Sequence, residues 1–346
     1  MAQEFIPGRG LDIGTSFIIA AREMAGGQQV QYTDFRDAFF RMKPSSPIAK
    51  KMMEKGLKGQ HYFADGDGSF VVVGQDAIER SIERNQSASR PLVRGVVSPK
   101  EKQARRILRH IIKEILDVPA CENEKVVYSI PASAIDQTAE EFDIGYHTDA
   151  MNNDIAALGF KPSPLSEAEA ICYSELEPDD YTGISFSFGA GMVNVCLMSA
   201  GEGILHWSTT RSGDWIDRMA AQATALPDTV VQVEKEGSQF TVGQESLDSP
   251  ILSAVSLYYV RLLDYTIEYM LQRILRADNL PKFTSPLPII ISGGTSRANG
   301  FIEQFNKILT EKIQGSSKLP FGIKEVRSAK DPLRAVARGC LLASQI

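Results

Sequence analysis

Only four cysteines occur in 346 residues, and Cys121, Cys172, Cys196 and Cys340 form no C-x-x-C pair and stand near no histidine cluster. That spacing argues against a zinc site or a disulfide framework and fits a reducing cytoplasm. Long hydrophobic runs are missing as well. Nothing approaches the roughly 18 consecutive apolar residues of a membrane span, and MAQEFIPGRG lacks the charged-then-apolar order of a secretory leader. Nor is there an excess of positive charge, since 37 Lys and Arg stand against 43 Asp and Glu for a net charge of −6. That balance gives no long-range attraction to nucleic acid or anionic lipid, so binding either would need a local patch. Histidine is scarce: His61, His110, His147 and His206 are isolated in sequence with no acid partner in view, which points to surface or packing roles.

What is present is an ordinary globular composition, 43% hydrophobic, long enough to bury a large core and to fold as two domains. Strand-like and helix-like runs alternate throughout, the pattern of an α/β chain. RGLDIG, SFIIAARE and QVQYTDF read as a hairpin and a third strand, and DGDGS at 65–69 reads as a hairpin turn before VVVG. A calcium loop is a poor reading of DGDGS, which lacks the downstream bidentate Glu. Ile107, Leu108, Ile111, Ile112, Ile115 and Leu116 form one helical stripe, and Lys102, Arg105, Arg106, Arg109 and Lys113 fill the rest as a solvated face or a contact for a polyanion, lipid or protein. KVVYSIP is a buried strand. SEAEAICYSEL opens with an N-cap Ser166 and an acidic first turn. GISFSFGAGMVNVCLM is a hairpin with Gly189-Ala190-Gly191 at its tip, a long helical tract runs from about Pro250 to Arg276, and GIKEVR and DPLRAVARGCLLAS supply a last strand and helix. No repeat is visible at 20 to 50 residues, although a strand hairpin with a glycine turn occurs twice, at 11–20 and 184–198.

Three glycine turns carry the chemistry: LDIGTS (11–16), SFGAGMVN (187–194) and SGGTSRANG (292–300). Glycine lets backbone N–H groups approach an anion, and a nearby carboxylate can hold hydrated magnesium, but one such turn alone is a weak signal. In this order and spacing the chain resembles, end to end, the actin-like ATPases, the superfamily of actin, the seventy-kilodalton heat-shock chaperones and sugar kinases. RPLVRGVVSPKE (90–101) and DPLRAVARG (331–339) are similar to segments of MreB, and VEKEGSQFTVG (233–243) to one of MamK, the magnetosome filament protein. The chain is therefore read as a bacterial actin homologue nearest the MreB and MamK group.

The resemblance implies an α/β, actin-like (ribonuclease H-like) duplicated two-domain fold with a nucleotide in the interdomain cleft. Domain I would span 1–181, with a small inserted subdomain at about 35–100, and be completed by 329–346; domain II would span 182–328 with a shortened insert. ATP or ADP and magnesium are the implied ligands. Asp12 would hold magnesium through water, and Gly14, Thr15 and Ser16 would meet the phosphates; a turn-capping role for Asp12 is the plain alternative. Glu167 would orient the attacking water, although P-L-S-E-A-E lacks a family proline, so Glu169 can be the aligned residue, or the acid can merely favour the helix dipole. Ser212, Gly213 and Asp214 match a turn near the ribose. Lys235 and Glu236 match residues beside the base, where a charged strand edge would look the same. Gly293, Gly294, Thr295 and Ser296 would present a helix N-terminus to the nucleotide.

One position departs from the family. Its second hairpin carries an aspartate and two threonines where this chain has Ser187, Met192 and Val193. The backbone amides of Gly189, Ala190, Gly191 and Met192 do not depend on side chains, so nucleotide binding is expected to survive. Hydrolysis is expected to be slow, because losing one positioning group commonly costs about 100-fold or more. A cytoplasmic, self-associating filament protein is the leading expectation, with an adaptor or cargo protein as a possible partner, no nucleic acid and no indicated membrane contact. A non-polymerising scaffold of pilus or division type comes second and a chaperone-like reactivating ATPase third. A sugar kinase ranks last, for lack of an acid to meet a substrate hydroxyl.

Overall fold

The computed structural model describes residues 7–24, 29–98, 101, 103–137, 142–245, 248–315 and 319–346. The opening MAQEFI, Pro99 and Lys100 of the 90–101 segment, and Lys102 lie outside the described residues.

The chain opens on three antiparallel strands, β1 (Gly8–Ile13), β2 (Phe17–Glu23) and β3 (Val30–Arg36). An excursion follows: β4 (Phe39–Met42), α1 (Pro47–Gly56), β5 (Tyr62–Ala64), β6 (Phe70–Val73) and α2 (Gln75–Glu83), with the strands pairing as a small sheet of order β4-β6-β5. A short ribbon, β7 (Leu92–Val93) and β8 (Val96–Val97), leads into α3 (Ala104–Leu116). Then β9 (Lys125–Ile130), α4 (Ile144–Ala156) and β10 (Lys161–Ser166) return to the first sheet, where β9 lies parallel to β1 and β10 parallel to β9. After α5 (Glu167–Glu175) the plan repeats. β11 (Gly183–Phe188), β12 (Val193–Ser199) and β13 (Glu202–Thr209) form an antiparallel run. Three helices follow, α6 (Gly213–Thr224), α7 (Asp228–Gly237) and α8 (Pro250–Leu275); then β14 (Leu287–Ser292), α9 (Phe301–Gly315), β15 (Ile323–Ser328) and α10 (Ala335–Ser344) complete the sheet and the chain.

The first sheet runs β10-β9-β1-β2-β3 and the second β13-β12-β11-β14-β15. Counted from its own first strand, each reads 3-2-1-4-5 with strands 4 and 5 parallel to strand 1, so the fold is a duplication, as the actin-like reading expects.

Apolar patterning accounts for the layers. The α3 stripe, from Ile107 to Leu116, is buried against β1, β6 and β9 side chains, while Phe186, Phe188, Leu262 and Phe305 anchor a second core under β11 and α8. The cationic face of α3 is less free than its composition suggests: Arg105 pairs with Asp154 at 3.0 Å and Arg106 with Asp65 at 2.5 Å. Two glycines permit the closest approach. A methyl group on Gly339 would lie 1.7 Å from the Ala170 carbonyl oxygen, and one on Gly10 2.0 Å from that of Ala337, so α10 lies directly on α5 and β1. Among the described residues no helix is long and apolar enough to cross a membrane.

Four expectations change. Lys235 and Glu236, for which a charged strand edge is the alternative, lie on a helix, α7. His206 and His61 are not isolated: His206 Nε2 lies 3.0 Å from Glu169 Oε2, and His61 Nδ1 3.2 Å from Asp76 Oδ2. Ser166 occupies the N-cap position of α5, yet its hydroxyl is buried without a hydrogen bond. The SGGTS turn winds into a short 3-10 turn over Gly294–Arg297, and α9 begins only at Phe301, so this helix does not start at the turn.

Candidate functional site

Each sheet places one tight glycine turn at the same point, after its first strand. In the first, the Gly14 N–H donates to Phe17 O at 3.0 Å; in the second, the Gly189 N–H donates to Met192 O at 2.9 Å. The two tips nearly touch, for a Cβ on Gly191 would sit 2.3 Å from Thr15 Oγ1. The third turn backs onto the second: Gly293 has φ +94°, and a Cβ there would lie 2.3 Å from Phe188 O, leaving room only for glycine.

Between these turns lies a cleft of about 630 Å³, a size suited to a small-molecule ligand. Asp12, Gly14, Thr15, Ser16, Glu167, Ser187, Gly189, Ala190, Gly191, Met192, Gly213, Asp214, Lys235, Glu236, Gly293, Gly294 and Thr295 all line it. Ser212 and Ser296 stand behind the wall: the Ser212 hydroxyl donates to Ala190 O at 2.5 Å and that of Ser296 to Gly293 O at 2.8 Å, so both brace turns. The 213–214 amides serve the same purpose. Gly213 N–H donates to Gly189 O and Asp214 N–H to Ala190 O, while the Asp214 carboxylate takes both its hydrogen bonds from Arg90. Lys235 is paired with Asp217 at 2.7 Å, and Glu236 with Arg36 at 3.2 Å.

Two carboxylates face the cleft floor. Asp12 Oδ1 accepts from Ser129 Oγ at 3.0 Å. Glu167 accepts on Oε1 from Ser187 Oγ and on Oε2 from Asn194 Nδ2 at 2.8 Å. Glu169, the alternative to Glu167, points elsewhere, to His206 and Tyr173. The partners of Asp12 and Glu167 are neutral hydroxyls and an amide, which do not balance their charge. Burial therefore pushes Asp12 up to about 7. Burial and the neighbouring Asp12 charge push Glu167 up to about 8, with the Ser187 hydrogen bond opposing. Two acids beside backbone amides fit a hard, oxygen-seeking dication that enters with phosphate and keeps most of its waters.

Several wall residues went unmarked in the sequence. Arg36 reaches across the cleft mouth, donating to Ser16 Oγ at 2.8 Å as well as to Glu236. Gly95 lines the cleft and donates its N–H to Thr15 Oγ1 at 2.9 Å. Asp217, Phe240 and Tyr259 close the side beneath α7. Asn194, buried beneath Glu167, belongs to a quoted motif but carried no assigned role. An N-terminal basic residue such as Arg36 has no local signature, since its partner lies 200 residues away.

Comparison with known proteins follows the same lines. A MamK double-helical filament structure superposes with a TM-score of 0.68 at 18% identity, covering 98% of this chain and 99% of that one. MreB5 of Spiroplasma citri bound to ADP gives 0.61 at 16% identity, covering 97% and 95%. The ethanolamine utilization protein EutJ from Carboxydothermus hydrogenoformans gives 0.53 at 15% identity, covering 99% and 92%. At these identities the likeness is one of fold. No curated protein matches the sequence at a significant level. The sequence model of one family, described as Volactin, matches residues 8–344.

Proposed function

The chain belongs to the Volactin family, and we propose that it is a cytoplasmic actin-type protein that binds ATP or ADP with magnesium, assembles into cytoskeletal filaments and turns the nucleotide over slowly. The observation that carries this reading is the convergence of three glycine turns and Asp12 on one cleft between duplicated sheets. Backbone N–H groups of Thr15 and Ser16 and of Ala190, Gly191 and Met192 would meet the phosphates, since those of Gly14 and Gly189 close their own turns; Asp12 would hold magnesium through water, and the α7 side would take ribose and base. Two domains, 1–181 completed by 329–346 and 182–328, would close on the nucleotide.

Support for nucleotide binding and filaments comes from the neighbours: one is a filament of MamK, another a non-polymerising MamK mutant bound to AMPPNP, another MreB5 bound to ADP. A second reading, a nucleotide-loaded scaffold that does not polymerise and serves an adaptor or cargo protein, draws on an asymmetry. The first half carries a three-stranded sheet with α1 and α2 in its excursion, whereas among the described residues α7 is the one helix between α6 and α8. Binding of a fluorescent ATP analogue, with pelleting and negative-stain microscopy under ATP, ADP or no nucleotide, separates them. Nucleotide-dependent filaments are expected. A monomer that binds ATP moves the reading to the scaffold, and a protein that binds no nucleotide overturns both.

A further inference from the structure

Ser187 stands on β11 where the duplicated plan has Asp12 on β1: Asp12 pairs with Ile19 one step before the first turn closes, and Ser187 pairs with Asn194 one step before the second. The second hairpin has lost a carboxylate, but the space beside Ser187 holds one. Glu167, entering from the first turn of α5, places Oε1 on the Ser187 hydroxyl and Oε2 on the Asn194 amide. Asn194 is itself fixed, because its Oδ1 accepts the Ala132 N–H at 2.9 Å from the segment that leaves β9. The same amide thus touches the end of the first sheet, the second hairpin and the acid.

We propose that Glu167, held by Ser187 and Asn194, replaces the hairpin's missing carboxylate as the second acid beside Asp12, and organises the waters of a nucleotide-borne divalent cation rather than activating an attacking water. The inference rests on the nucleotide reading above and goes further in assigning Glu167 to the metal and Asn194 to its positioning. Two like charges sharing a buried cleft repel until a dication lies between their hydration shells. A carboxylate held through both oxygens by neutral donors keeps one orientation and does not swing toward a water beyond the phosphates. Cation binding is thereby kept while the base is withdrawn, so one arrangement accounts for both halves of the expected behaviour.

Mn(II) titrated into the protein with the non-hydrolysable analogue AMPPNP, read by the electron paramagnetic resonance of free Mn(II), tests the assignment. E167Q is expected to weaken Mn(II) about 10- to 100-fold, the usual cost of losing a group that holds a metal's outer shell, and to weaken AMPPNP in EDTA by less. N194S is expected to weaken Mn(II) by a smaller factor. The double variant E167Q/S187D returns a carboxylate to the hairpin and is expected to recover Mn(II) affinity, which a merely structural role for Glu167 would not produce. E167Q replaces a buried acid with a neutral amide of the same shape and should melt no lower than the wild type without ligands, so misfolding does not confuse the result. Unchanged Mn(II) affinity in E167Q, or no recovery in the double variant, overturns the inference alone. A wild type that binds no AMPPNP with Mn(II) overturns the nucleotide reading together with it.

Discussion

The turn between β1 and β2 and the turn between β11 and β12 occupy one position in two copies of the same sheet, and they share a backbone but not a chemistry. Ile13 pairs with Ile18 to close the first, and Phe188 with Val193 to close the second. In that register Asp12 corresponds to Ser187, Thr15 to Ala190, Ser16 to Gly191 and Phe17 to Met192. Both turns retain the glycine whose N–H bonds back across the loop. The first keeps an acid and two hydroxyls, whereas the second keeps one hydroxyl and buries Met192 beside Val96 and Phe142. Backbone amides belong to the conformation and survive sequence change. Acidic side chains do not, and here the acid beside the second turn comes from the start of a helix rather than from the strand.

The sharpest way to break this contrast is to make the turns alike. Ser187→Asp supplies the second carboxylate and removes the hydroxyl that holds Glu167, so phosphate release should rise roughly 100-fold, the scale of restoring one preorganised group. A wild type that already turns over briskly and is unmoved by the substitution would sink the account of slow hydrolysis. Next in size is Gly191→Ala. Its methyl would lie 2.3 Å from Thr15 Oγ1 and 3.1 Å from Arg94 Cα, forcing the tips apart. Chemical denaturation should show a loss of about 1–3 kcal/mol, as for other overpacked sites, with weaker nucleotide binding; full retention of both would mean that the turns need not touch.

Legibility divided along the same line. Local signals were readable: the glycine turns in their order, the α3 stripe, and the long helix, expected from about Pro250 to Arg276 and found as Pro250–Leu275. Readings failed where a local pattern was ambiguous or a partner was remote. The β-branched run Val230, Val231, Val233 suits a strand by propensity, yet Pro227 at the N-cap and Asp228 in the first turn mark a helix start. Glu169 and His206 are 37 residues apart and meet because α5 packs on β11 and β12, and β13, which carries His206, pairs with β12. The role of Asn194 depended on its register with Ser187, which no linear motif displays.

The pH dependence of stability probes the two acids together. In the unfolded chain Asp12 and Glu167 ionise near 3.8 and 4.5; folded, they hold protons to about 7 and about 8. The folded state therefore binds more protons across that window, so the nucleotide-free protein should lose stability as pH rises from about 4 to about 8. Melting temperatures across the range should fall more steeply for the wild type than for E167Q, and magnesium with ATP should flatten the wild-type curve by favouring both charged forms. Identical slopes in the two proteins would show that Glu167 does not carry a raised pKa.

The smallest expected effect lies at the cleft mouth, where the first sheet reaches the second half through an exposed pair. Arg36 sits at the end of β3, stacks over Phe17 with its guanidinium 4.4 Å from the ring centre, and joins Ser16 on the first turn to Glu236 on α7. The Glu236 side chain is 46% exposed, so the ion pair contributes only about 0.2–1 kcal/mol. Because the pair spans the opening, its loss should act on exchange more than on folding. Arg36→Gln is expected to speed release of a fluorescent ADP analogue by about 1.4- to fivefold, the rate equivalent of that energy, with little change in melting temperature. The effect should shrink in high salt, which screens exposed charges. A release rate indifferent to both the substitution and salt would assign the contact to the closed shape of the protein alone.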